Sequence, residues 1–263
     1  MDDPLLGLLD LPGVAESVES ARRSVDALLW DRAVGRAQQE VTAESALRGA
    51  WANAWFEGAE AGLPELRSGA ALDGSPIGRV LSGVVAMHAE LPSLVSIVGT
   101  APAQALARMH AIVARGFADD SELGRPRSGE VVDDPLRLGA PASAAQVAER
   151  LSDLSQVLVT STAPGILVAA VAHAETASLR PFAWGSGLVA RALPRLLLAQ
   201  RGVDPGMLGS PEVGLKAAGR PAYVRAVRAY AEGSPDGVAD MVRLVAAAVE
   251  FGAQQPATWV SEV

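Results

Sequence analysis

The chain has no cysteine, a single lysine (Lys216), three histidines and few aromatic residues. Without cysteine there are no disulfides, thiolate metal ligands or cysteine nucleophiles. Aromatic residues make up 4% of the sequence while hydrophobic residues reach 49%. The core must therefore be built from Ala, Val and Leu, a composition that favours closely packed helices over a β-sandwich. Basic character is also lacking. The formal net charge is −8, and an acidic surface repels phosphate backbones, which argues against nucleic-acid or anionic-membrane partners.

No long hydrophobic run is evident. The longest uncharged stretch, 154–174, is broken by Pro164-Gly165. Only its second half is strongly apolar, too short to span a bilayer. The start, "MDDPLLGLLDLPG", has no basic segment ahead of an apolar one and does not read as a secretory signal. The expectation is a cytoplasmic protein, large enough at 263 residues for one domain with a substantial appendage.

What is present reads as helices separated by Gly/Pro punctuation. Val18, Val25, Leu28 and Leu29 recur at helical spacing, and a second helix is centred on 46–56. "IGRVLSGVVAMHAEL" predicts a helix, with "PSLVSIVGT" a short connector after it. Thr100 is the expected N-cap of the next helix, with Pro102 in its first turn. Segment 118–141 is the least helical, and "GEVVDD" within it is the best strand candidate, a small hairpin or flap. A Ser143-capped helix follows, then "GILVAAVAHAETASL", apolar all round and so expected at the centre. A helix from about Leu188 to Gln200 contains Pro194, and "RPAYVRAVRAYAEGSPDGVADMVRLVAAAV" predicts two more.

Between the apolar helix and the Pro194 helix lies "RPFAWGSGLVAR", Arg180–Arg191. Gly185, Gly187 and Ala190 satisfy G-x-G-x-x-A, with Asp204 at the distance of a ribose-binding acid. That pattern works only after a strand, and here a helical run precedes it. A dinucleotide turn is therefore disfavoured.

The order of a buried helix, then x-P-F-x-x-G-x-G-x-x-x-R, then another apolar helix resembles the Fic (Fic/Doc) family, whose motif is H-P-F-x-[D/E]-G-N-G-R-x-x-R. "ALRGAWANAWFEGAEAG" also resembles that family's inhibitory helix, [S/T]-x-x-x-E-[G/N], with Asn53 in the Ser/Thr place and then Glu57 and Gly58. Together with the flap and the terminal helices, the likeness covers most of 40–250. It implies an all-α, Fic-like fold with a small β-hairpin flap. It divides the chain into an N-terminal helical region with the inhibitory-type helix, 1–75, and a Fic-like core with C-terminal helices, 76–263.

In the family the histidine is the general base, the acid holds Mg²⁺ on the nucleotide, and the Gly-Asn-Gly turn and two arginines receive phosphate. Here Arg180 stands in the base place, Trp184 in the acid place, Ser186 in the asparagine place and Leu188 in the first arginine place. Arginine stays protonated and cannot serve as a base, and tryptophan has no oxygen for Mg²⁺. The resemblance leaves Gly185, Ser186, Gly187 and Arg191 as nucleotide- or phosphate-binding candidates. It leaves Glu57 and Gly58 as inhibitory, with Glu57 expected to reach Arg191, and no catalytic residue. It implies a degenerate adenylyltransferase-like pseudoenzyme that binds a protein partner or regulates one, with a homodimer as a further expectation. The alternative is a transferase with altered chemistry on ATP, another nucleotide or a phosphorylated ligand, without Mg²⁺. Trp184 would then cover the pocket or stack on a base; otherwise it and Arg180 fill the vacated site. His173, seven residues before Arg180, is a packing residue in this reading, about 10 Å away by helix rise. His88 and His110 are read likewise as core or surface histidines.

Overall fold

A computed structural model describes residues 3–260. After a 3₁₀ turn at Leu6–Asp10, the described residues form thirteen helices: α1 Val14–Trp30, α2 Arg32–Arg36, α3 Gln38–Phe56, α4 Leu63–Arg67, α5 Pro76–Thr100, α6 Pro102–Val113, α7 Ala144–Thr160, α8 Gly165–Leu179, α9 Ser186–Gln200, α10 Pro211–Ala218, α11 Arg220–Ala231, α12 Pro235–Gln254 and α13 Pro256–Trp259. The fold is all-α.

Local chemistry sets many of the boundaries. Ser75 accepts from Gly78 N–H to start α5, and Ser234 accepts from Gly237 N–H to start α12, each with proline at the first helical position. Ser143 and Gln146 form a reciprocal capping box on α7. Helix α8 is apolar nearly all round and buried from Ile166 to Leu179 except at Glu175 and Ser178. It packs antiparallel on α9 and is covered by α12 and α11, while α5 and α3 close over α9. One apolar core runs through the molecule, from Val14 of α1 to Trp259 of α13.

Four expectations need correction. Helix α5 continues through Pro92 where a connector was expected. Pro92 lies on the exposed face, and Leu91, Leu94 and Val98 keep the apolar stripe going against the core. Burial of that stripe offsets the hydrogen bond that proline removes. Thr100 is consequently the last residue of α5 rather than a cap, and Ala101 occupies the N-cap position of α6.

The expected β-hairpin flap has no strand among the described residues. A lone bridge joins Arg115 and Ala118, and 126–143 is irregular. Its N–H groups bond elsewhere: Arg127 N–H donates to Pro181 O at 2.8 Å and Asp133 N–H to Ala183 O at 2.7 Å. The flap therefore pairs with the 180–185 loop instead of with itself. Finally, α9 begins at Ser186, two residues earlier than expected, and α10 was not anticipated.

Helix α5 is the one helix among the described residues long and apolar enough, by length and composition, to cross a membrane. Here one side of it, Leu81, Val84, Met87, Leu91 and Leu94, faces the protein core.

Candidate functional site

The loop joining α8 to α9 is shaped by backbone geometry. Helix α8 ends on Arg180, a non-glycine residue in the left-handed region at φ 46°, and α9 starts from Gly185 at φ 74°. Ser186 closes the turn on itself: its hydroxyl donates to Phe182 O and accepts from Phe182 N–H, both at 2.9 Å. The Ser186 side chain is thus engaged in the turn. Phe182 is buried and stacks on the His110 ring, centroids 3.9 Å apart. His110 Nδ1 accepts from Gly124 N–H at 2.9 Å, so the proton sits on Nε2 and is donated to Trp184 O at 3.1 Å. Burial lowers the His110 pKa to about 4. His110 is a neutral post that ties loop to flap.

Arg191 lies on α9, fully buried. Its Nη2 donates to Glu57 Oε1 and its Nε to Asn53 Oδ1 at 2.8 Å. Asn53 Nδ2 in turn donates to Leu188 O at 2.9 Å. The guanidinium sits over the Phe56 ring at 4.9 Å. Gly58, at φ 77°, turns the chain away immediately after Glu57. Gly187 makes this approach possible, because a Cβ there would lie 2.8 Å from Arg191 Nη1 and 2.9 Å from Glu57 Oε1. The structure therefore brings together Glu57, Asn53, Gly187 and Arg191, with α3 held to α9 by a charged hydrogen-bonded pair.

Arg180 is paired as well. Its Nη1 lies 2.9 Å from Asp134 Oδ2 and its Nη2 donates to Gly139 O at 2.7 Å. Arg127, itself buried, donates from Nε to Arg180 O at 2.9 Å. Asp134 was not singled out in the sequence, where it sat inside the strand candidate. The available signal was indirect: a buried arginine needs a carboxylate, and "VVDD" is the nearest acidic pair outside the helices.

Trp184 does not enter the pocket. Its ring stacks on Phe117 with centroids 4.3 Å apart and planes 3° apart, and Arg79 lies over Phe117 at 5.5 Å. His173 bonds through Nε2 to the Tyr223 hydroxyl at 3.0 Å and is completely buried. Burial lowers its pKa to about 3, and the nearby Arg191 charge adds to this. Tyr223, which sequence reasoning missed, forms part of the pocket wall.

The pocket over Gly185–Gly187 has a volume of about 20 Å³. That is room for one water molecule. Glu57 closes it from α3, and Pro135, Leu136 and Leu138 close it from the flap. Asp133 lies on the same wall, its pKa raised by burial and by the negative charges of Glu57 and Asp134. A nucleotide does not fit this arrangement. Trp184 supplies no oxygen to this pocket, and the Asp134 carboxylate is engaged with Arg180.

No family model matches the chain, and no curated protein does. Solved structures do. A Fic family protein from Desulfovibrio desulfuricans G20 matches with a TM-score of 0.76 at 20% identity, covering 96% of this chain and 76% of that one. Fic-1 from C. elegans matches with a TM-score of 0.69 at 21% identity, covering 95% of this chain and 73% of that one. A variant of the same protein matches at 0.66 and 22%, over 98% and 75%. With the helix order, the loop between α8 and α9 and the α3 contact to Arg191, these likenesses establish that the chain has the Fic fold.

Proposed function

We propose that this chain is a catalytically degenerate Fic-fold protein that does not transfer AMP and acts by binding or regulating a protein partner. The observation that carries this reading is the closed pocket, in which both arginines of the loop are spoken for by carboxylates from other elements, Glu57 and Asp134. The base position holds a permanently protonated side chain. Loss of a general base alone costs roughly 10²–10⁴ in rate. Glu57 and Arg191 then hold α3 against the core instead of restraining an activity.

A second reading has one observation in its favour. Arg191 Nη1 is buried without a hydrogen-bond partner. It lies beside the N-terminus of α9, where backbone N–H groups favour anions. If Glu57 withdrew, a phosphorylated ligand would find a partial cradle.

Calorimetry with ATP, with and without Mg²⁺, together with labelled-AMP incorporation by Glu57→Gly, separates the two. No saturable heat and no label are expected. AMP incorporation by Glu57→Gly would overturn the degenerate reading, and saturable nucleotide binding lost in Arg191→Ala would favour the second. Restoring Arg180→His, Trp184→Asp, Ser186→Asn and Leu188→Arg on Glu57→Gly tests whether the loop alone has decayed.

A further inference from the structure

Two buried ion pairs lie beside α3, Glu57–Arg191 and Glu212–Arg195. Asn53 of α3 and His88 of α5, both buried, run between them. Asn53 Oδ1 accepts from Arg191 Nε at 2.8 Å, its Nδ2 donates to Leu188 O at 2.9 Å, and the same Nδ2 lies 3.4 Å from His88 Nε2. His88 Nδ1 lies 3.9 Å from Glu212 Oε1. The two helices are pressed close here, since a Cβ at Gly49 would lie 3.2 Å from His88 Cε1.

The ends of this chain fix every donor and acceptor along it. Arginine only donates, so the Asn53 oxygen must face Arg191 and its amide must face His88. One amide hydrogen goes to Leu188 O and the other points at His88 Nε2, which has to accept. The imidazole is therefore neutral, with its proton on Nδ1, toward the Glu212 carboxylate. An imidazolium would carry a proton on both nitrogens and set a donor against the Asn53 amide. Asn53 cannot answer by flipping. Its amide would then meet the Arg191 Nε–H and its oxygen would meet Leu188 O, leaving buried polar groups unpaired.

We infer that His88 is a proton-operated pin of the Glu57–Arg191 clasp: neutral, it accepts from Asn53 and keeps the end of α3 docked on α9; protonated, it expels Asn53 and frees α3. The inference rests on the reading of Glu57–Arg191 as the contact that holds α3 against the core. Two charges act on His88. Glu212 of α10 favours the imidazolium and Arg195 of α9 opposes it, while α3 presents the uncharged Asn53 and Gly49. On α6, His110 is turned to the loop and Arg108 to Glu90; on α7, Arg150 is turned to Glu175, and Glu149 and Asp153 are exposed. Burial dominates and lowers the His88 pKa to about 4 from an ordinary 6.5. A folded value below the ordinary one means that docking is fully favoured above pH 6.5 and is lost as pH falls toward 4. His88 also lines the open groove between α3 and α5, so water reaches the ring once Asn53 withdraws.

Nitrogen-15 spectra of the histidine rings in the full chain test the tautomer, and hydrogen exchange read by mass spectrometry tests the pin. At pH 7 His88 is expected to carry its proton on Nδ1; a proton on Nε2 would overturn the inference. An opening that solvates the ring returns its pKa from about 4 to 6.5, so the opening constant of segment 49–58, corrected for intrinsic exchange, should rise about twentyfold from pH 7 to pH 5 while α8 stays protected. His88→Gln keeps an acceptor for Asn53 and does not titrate, so its profile should stay flat within about threefold. His173→Gln should keep the full rise. A flat profile in the parent chain, or the same rise in His88→Gln, would overturn the inference, and the tautomer and the parent profile decide it even if His88→Gln does not fold. Glu57→Gln should raise opening of the same segment at pH 7. If it does not, the clasp reading itself fails and the pin falls with it, an outcome distinct from a working clasp with a flat pH profile.

Discussion

Removing the Glu57 carboxylate has a calculable cost. Arg191 has no solvent exposure and the Glu57 side chain is 8% exposed, so the pair is screened little by water. Glu57→Gln keeps the size and shape of the side chain but leaves the guanidinium charge in the core. Its partners are then neutral, the amide oxygen at position 57 and Asn53 Oδ1 at Nε, alongside the faces of Phe56 and Tyr223. Uncovering one member of a buried pair costs about 3–5 kcal/mol. For 263 residues the entropy of unfolding is about 0.55 kcal/mol/K, so the expected fall in Tm is about 5–9 °C. Replacing both members by apolar residues, Glu57→Leu with Arg191→Met, removes the charge as well as its partner and is expected to lie within about 2 kcal/mol of the parent. Urea denaturation of the four proteins in a double-mutant cycle measures the coupling. If Glu57→Gln costs under 1 kcal/mol, or the double variant costs the sum of the singles, then the pair does not lock α3 to α9 as argued.

Other outcomes follow from the same structure. Arg195 is held by Glu212, Ser45 and Ser210 with both charges buried, so Glu212→Gln is expected to cost about 3–5 kcal/mol in denaturant melts, with no effect expected on the loop pocket. Gly214→Ala would place a Cβ 2.1 Å from Ala248 O, a backbone atom of α12 that cannot swing aside, and a loss of about 1–3 kcal/mol is expected by thermal melting. The neutral His88, His110 and His173 have folded pKa values of about 4, about 4 and about 3 against an ordinary 6.5. Their contribution is fully present above pH 6.5. It is lost as pH falls toward those values, at up to about 4 kcal/mol per pH unit for the three protons taken up on unfolding. Stability measured from pH 7 to 4.5 should show this slope, and His173→Gln should remove about a third of it. Asp204, whose pKa burial raises, works against this loss in acid.

How much of this was legible in the sequence depended on the range of the interaction responsible. Ser143 ahead of α7 and Pro164-Gly165 ahead of an apolar run act within a few residues, and each was readable. So was the Glu57–Arg191 pair, but only through resemblance, since nothing local to either residue points across 134 positions. The α5 break failed because the rule for Pro92 is local, whereas the burial of Leu94 and Val98 that overrides it is tertiary. The strand candidate failed because Asp133 N–H within it donates to Ala183 O of the loop instead of to a partner strand. Helix α10 was missed because its placement depends on Gly214 and Gly252 letting it approach α12 and the Ser210 backbone closely. The closure of the pocket was missed for a related reason. The substitutions in the loop were read one at a time, as losses of a base and a metal ligand. Yet a buried arginine in the base place is tolerable only if a carboxylate comes to meet it, and Asp134 of the flap does so. That pairing brings Leu136 and Leu138 over the turn. Arg180 and the closure of the pocket are therefore coupled by charge: the carboxylate that meets the buried guanidinium belongs to the segment that covers the turn.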